Sequence, residues 1–154
     1  MNSIKKNNRL YKEEKGKHMI EQGKGGVIVQ TSSMYGLIAP DQRIYEGSQY
    51  MGCQMNSPAS YTVSKAAVIG LTKYLAAYWG QKGVRVNSIS PGGVINKENN
   101  LQNKNFIKNY SKRVPIKRMA KSSEIANAVL FLCSDLSSYM NGSNLVVDGG
   151  WTAI

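Results

Sequence analysis

Tyr61 and Lys65 stand at positions i and i+4, so a helix would carry both side chains on one face, a turn apart. A phenol beside an ammonium is a device for moving a proton to or from an oxygen. A free phenol, with a pKa of about 10, is a poor base at neutral pH; an ammonium about 5 Å away at an effective dielectric near 20 lowers it by roughly two units. The spacing alone discriminates little. Tyr11 and Lys15 share it, and a chain with nine tyrosines is expected to contain about one such pair by chance. Context singles out Tyr61 and Lys65, because Ser32-Ser33 closes an apolar run before them and Pro91-Gly92 closes another after them.

Those residues need strands and a helix to hold them. Val27 to Ser32 is a β-branched run preceded by glycines, the pattern of a strand buried on both faces. Residues 37–57 follow as a long loop containing Pro40, Gly47, Gly52, Tyr45, Tyr50 and Cys53, which marks them as a lid or substrate wall. Ser57 caps a helix with Pro58 in its first turn, and the helix stops at Gly80. Along it Ala66, Ala67, Gly70, Leu71, Tyr74 and Leu75 form a small and apolar face suited to close packing.

Val84 to Ile89 alternates as a strand and ends at Pro91-Gly92-Gly93. Strand, helix, strand in this order implies a right-handed crossover and a parallel sheet. A short helix is expected from Leu101 to Tyr110, another from Ser122 or Ser123 to about Ser134 with Cys133 in its core, and a last strand at Leu145 to Val147. Residues 1–24 are lysine-rich and form at best a weak helix anchored by Leu10, Met19 and Ile20; residues 25–154 form the domain.

Composition narrows the function classes. A chain of 154 residues suffices for one domain, and no stretch is apolar enough to span a membrane. The polar N-terminus has no following apolar segment, so the expected compartment is the cytoplasm. His18 is the only histidine and Cys53 and Cys133 lie far apart, which argues against a metal site or a disulfide framework. The formal charge of +11 admits a nucleic-acid binder. The lysines crowd two segments, however, without the interleaved aromatics of a nucleic-acid motif, so they read as solvated faces.

Ser32-Ser33-Met34-Tyr35-Gly36, Tyr61-Thr62-Val63-Ser64-Lys65, Asn87-Ser88-Ile89-Ser90-Pro91-Gly92 and Val147-Asp148-Gly149-Gly150, in that order, resemble the second half of a short-chain dehydrogenase/reductase. The resemblance covers about Lys17 to Ile154. It implies an α/β fold, the C-terminal part of a doubly wound, Rossmann-type parallel sheet with about three strands. It also implies NAD or NADP as cofactor, Tyr61 as acid/base, and Lys65 lowering its pKa and holding the nicotinamide ribose. Ser33 would bind the substrate carbonyl, while Pro91, Gly92 and Val94 would lie against the nicotinamide. Asn96 stands where the family often has threonine; Asn87 and Asp148 match structural positions.

The glycine-rich turn that seats a pyrophosphate in such folds is not found before Ser32. The expectation is therefore a partial fold whose isolated chain is weakly active or inactive. Its substrate would be a small alcohol or carbonyl compound, with sugars the nearest analogy because Ser33 and Tyr61 are unusually far apart. Copies would associate through the helix from Pro58 to Trp79. A noncatalytic truncated fragment or assembly module is the alternative reading, and a basic nucleic-acid-binding protein the third.

Overall fold

Residues 16–50, 52–95 and 103–154 are described by a computed structural model. The Tyr11–Lys15 pair, Asn96 and the first residues of the helix expected from Leu101 lie outside them. In chain order come α1 (described over residues 16–21), β1 (Gly26–Thr31), the 3₁₀ turns Met34–Gly36 and Gln42–Tyr45, and a hairpin of β2 (Gln49–Tyr50) and β3 (Cys53–Gln54). Then follow α2 (Ala59–Trp79), β4 (Val84–Pro91), α3 (Lys104–Arg113), α4 (Ser122–Cys133) and β5 (Asn144–Val147).

The sheet that positions the site has three parallel strands in the order β1-β4-β5. Gly26 lies opposite Val84 and Thr31 opposite Ile89, while Ser88 lies opposite Asn144 and Pro91 opposite Val147. This is the α/β, Rossmann-type arrangement expected of a strand–helix–strand crossover. The central strand β4 is buried along nearly its whole length, which explains its apolar and small residues.

Alternation sends the side chains of β4 to two different layers. Val84 and Val86 pack with Leu75, Ala76 and Trp79 of α2, joined by Ile28 of β1 and by Met19 and Ile20 of α1. Arg85, between them, donates to the backbone oxygens of Leu132, Ser134 and Met140 at 3.1–3.2 Å. The guanidinium thus ties the end of α4 and the turn after it to the central strand. Asn87 is fully buried, donating to Met140 O at 2.8 Å and accepting from Ser143 N at 3.0 Å. Its role is structural, as is that of Asp148, whose carboxylate accepts from Gly150 N and Thr152 N.

Four expectations need correction. The 37–57 segment has structure of its own: Asp41 caps the turn Gln42–Tyr45, β2 pairs with β3, and Ile44 and Tyr45 are buried. Asn105 and Asn109 of α3 hold it by donating to the backbone of residues 44–47. The cap of α2 falls on Pro58 with no side-chain cap, while Ser57 is held by Gln42 through its backbone and bonds Tyr45 through its side chain. Helix α3 runs past Tyr110 to Arg113, and Asn103 caps it. Cys133 is exposed, since Leu132 takes the inward position at the end of α4.

Candidate functional site

The C-terminal ends of β1 and β4 point at the start of α2, and a cleft of about 290 Å³ opens between them. Its lining brings together Ser33, Tyr61 and Gly92, three of the residues singled out in the sequence, with Tyr35, Tyr45 and Phe106 behind them. No side chain lining this cleft is charged. An open α/β sheet is expected to bind ligands beyond the carboxyl ends of its strands, and the cleft occupies that place.

Each member is fixed locally. Ser33, in extended conformation, caps the turn Met34–Gly36, its Oγ accepting from Tyr35 N at 3.2 Å. Its own proton remains available to donate to a ligand oxygen. Ser32 does different work: its Oγ donates to the backbone oxygen of Lys65 at 2.8 Å, tying the end of β1 to α2. Gly36 permits that approach, because a Cβ there would stand 2.8 Å from the carbonyl carbon of Lys65. Neither Ser32 nor Gly36 drew a role from the sequence; a small residue just past a strand-end serine pair was the available signal.

Tyr61 is 39% exposed, its phenol at the cleft. The Lys65 ammonium sits 5.5 Å from the centre of the Tyr61 ring and donates to Thr31 O at 3.1 Å. Two of its three N–H groups therefore remain for a ligand. The spacing alone proves as permissive as chance suggests, because Tyr78 and Lys82 at the far end of α2 show the same 5.5 Å separation. That second pair borders a separate groove of about 370 Å³ with no serine in its lining.

Pro91 ends β4, and the turn after it is locked from below. Gly92 N donates to Val147 O at 3.0 Å and Gly93 N to the Tyr110 hydroxyl at 2.6 Å. Added Cβ atoms at Gly92 or Gly93 would stand 2.7 Å from Tyr110, so the glycines are there for packing. Val94 bridges to Ala120 and lies outside the cleft lining. Tyr110, buried and stacked on Trp151 at 4.8 Å, is a supporting residue that sequence reasoning passed over as the end of a helix.

Burial pushes the phenols of Tyr35, Tyr45 and Tyr110 above the ordinary tyrosine range, with neighbouring phenols adding to the effect on Tyr35. They are neutral hydroxyls at any working pH. Among the described residues no His, Cys, Asp and Glu group could hold a metal ion. No described helix is long and apolar enough to cross a membrane.

The family model described as enoyl-(acyl carrier protein) reductase matches residues 13–152. Among curated proteins, D-threitol dehydrogenase of Mycolicibacterium smegmatis is 39% identical over 141 residues, covering 89% of this chain and 47% of that protein. A short-chain dehydrogenase of Leptospira borgpetersenii with bound NAD+ superposes with a TM-score of 0.81 at 40% identity, covering 94% of this chain and 52% of the other. A gluconate 5-dehydrogenase of Burkholderia cenocepacia, in complex with NADP and tartrate, gives 0.73 at 30% identity, covering 90% and 49%.

The strands and these likenesses define an α/β protein with a parallel, Rossmann-type sheet. The chain belongs to the short-chain dehydrogenase/reductase family. It spans about half the length of the curated relatives it matches.

Proposed function

We propose that this chain carries the proton-transfer portion of a nicotinamide-dependent oxidoreductase that interconverts an alcohol and a carbonyl compound. The observation that carries this reading is the convergence of Ser33, Tyr61 and Gly92 on one cleft, with the Lys65 ammonium beside the Tyr61 ring. When bound, NAD or NADP would supply or accept the hydride.

The chain's own residues account for the rest. The Tyr61 phenol gives its proton to the carbonyl oxygen in reduction and takes it back in oxidation. Ser33 donates to the same oxygen and fixes its direction. Lys65, with two N–H groups beyond its bond to Thr31 O, holds ribose hydroxyls. The turn after Pro91 presents the bare Cα of Gly92 to the nicotinamide ring, with Val94 completing that side. Support for a polyol or sugar-like substrate comes from the uncharged cleft, with its serine and tyrosine hydroxyls, and from a relative named for threitol. Support for pairing of copies through α2 comes from its outward face, where Val63, Ala66, Ala67, Gly70 and Tyr74 are exposed.

These donors fit the nicotinamide end of a dinucleotide; among the described residues no glycine-rich turn leads from a strand into a helix to hold the pyrophosphate. Turnover by the chain alone is accordingly expected to be absent or very low, and binding is the decisive readout. In calorimetry at moderate salt, reduced nicotinamide mononucleotide, NADH and NADPH should bind within roughly tenfold of one another. Lys65→Ala should weaken all three by about tenfold or more, the loss of charge-assisted hydrogen bonds. Absence of saturable binding by any of the three overturns the proposal.

A further inference from the structure

One wall of the cleft is not used by proton transfer at Tyr61. Tyr35 is 6% exposed and lines the cleft, and its hydroxyl is hydrogen-bonded to that of Tyr45. Tyr35 donates in that pair, so the Tyr45 hydroxyl keeps its own proton for an acceptor in the cleft. Tyr45, 9% exposed, lines the same cleft from the 37–57 segment. Its ring is stacked on Phe106 at 5.3 Å and 6°, which holds it in place. Tyr45 raises the proton affinity of Tyr35, while hydrogen bonds from Tyr35 and Ser57 lower that of Tyr45 against the opposing effect of Tyr61. Three phenols thus share one small space.

The chemistry of that wall selects a ligand. Neutral phenols donate, so they call for an acceptor oxygen. A carboxylate would find no counter-charge in the lining and would lose its hydration without compensation. About 290 Å³ corresponds to roughly ten water volumes, room for a compound of about four to six carbons.

We propose that the hydroxyls of Tyr35 and Tyr45 form a subsite for a second oxygen of the substrate, so that the chain selects short uncharged diols, hydroxyketones and polyols over simple alcohols. The subsite deepens the oxidoreductase reading and rests on it only for the identity of the reacting oxygen at Tyr61. The binding preference itself requires no cofactor.

Matched probes separate the two claims. Saturation-transfer NMR on the full chain would compare 2,3-butanediol with 2-butanol, in wild type and in Tyr35→Phe, Tyr45→Phe and the double variant. Near-UV circular dichroism would check that each variant is folded. The diol should bind about three- to tenfold more tightly than the mono-alcohol, the range of one or two net hydrogen bonds. In the double variant the ratio should fall towards one. Equal binding of the two probes by wild type, no binding of either, or a preference that survives in a folded double variant overturns the subsite. A diol preference that depends on these tyrosines, in a chain that binds no nicotinamide nucleotide, upholds the subsite and sinks the oxidoreductase reading alone.

Discussion

At the scale of single residues, the same side chain does different work at different depths. Tyr61 stands at the cleft mouth, whereas Tyr35, Tyr45 and Tyr110 are sunk among apolar neighbours and resist ionisation. A phenol whose folded-state pKa is raised above its unfolded value stabilises the fold in full below that unfolded value, about 10. The contribution is lost as pH rises through the folded value. Absorbance at 295 nm should therefore show a late group of tyrosines that ionise together with loss of near-UV dichroism. Phenylalanine at 35, 45 or 110 should each remove amplitude from that late phase alone; three ordinary titrations with the fold intact would show these rings to be solvated. The tyrosine and lysine of the site were legible as types at a spacing, but burial was not. Spacing alone does not distinguish Tyr61–Lys65 from Tyr78–Lys82, which show the same separation at the start and just past the end of α2. Only the strand ends that converge on the first pair make it a site.

At the scale of elements, the sheet and α2 were legible because β-branched runs and small-residue helical spacing have distinct periods. The structure within residues 37–57 was not, because its order comes from distant partners: Gln42 holding Ser57, and Asn105 and Asn109 holding the backbone of residues 44–47. The junction between β1 and α2 depends on the missing Cβ of Gly36. Gly36→Ala should cost about 1–3 kcal/mol, since the Lys65 backbone rather than a flexible side chain must give way. It should also lower nicotinamide-nucleotide affinity by displacing Lys65. Unchanged thermal stability and affinity would show that this junction is not tight. The start of α4 depends on charge: Glu124 accepts from Arg118 at 2.6 and 2.8 Å and from Lys121 N at 2.8 Å. The Arg118 pair and then the Lys121 N–H hold its carboxyl at about 2, down from 4.5. A depressed carboxylate stabilises the fold above its unfolded pKa and loses that contribution as pH falls through the folded value. Glu124→Gln should thus lower Tm slightly at neutral pH and flatten its decline between those two values. An identical acid profile in the variant would assign the acid transition to other carboxylates.

At the scale of the whole molecule, β1 lies at the edge of the three-stranded sheet and α2 carries an outward apolar stripe, features that ordinarily favour association. The charge of +11 makes the surface soluble and attractive to polyanions, and its effect on nucleic acid should vanish with salt. The stripe behaves otherwise, because apolar association strengthens or persists as charges are screened. Its midpoint is Gly70, where an added Cβ would meet nothing within 4 Å. In a lone chain Gly70→Ala should therefore stabilise α2, by about 0.5–1 kcal/mol from helix propensity. In a pair packed across that face, the same glycine lets two helices approach closely and a long side chain forces them apart. Sedimentation velocity at moderate salt should accordingly find the wild type as a pair and Gly70→Arg as single chains, both with the far-UV spectrum of the folded protein. If Gly70→Arg sediments as the wild type does, the copies do not meet on this face.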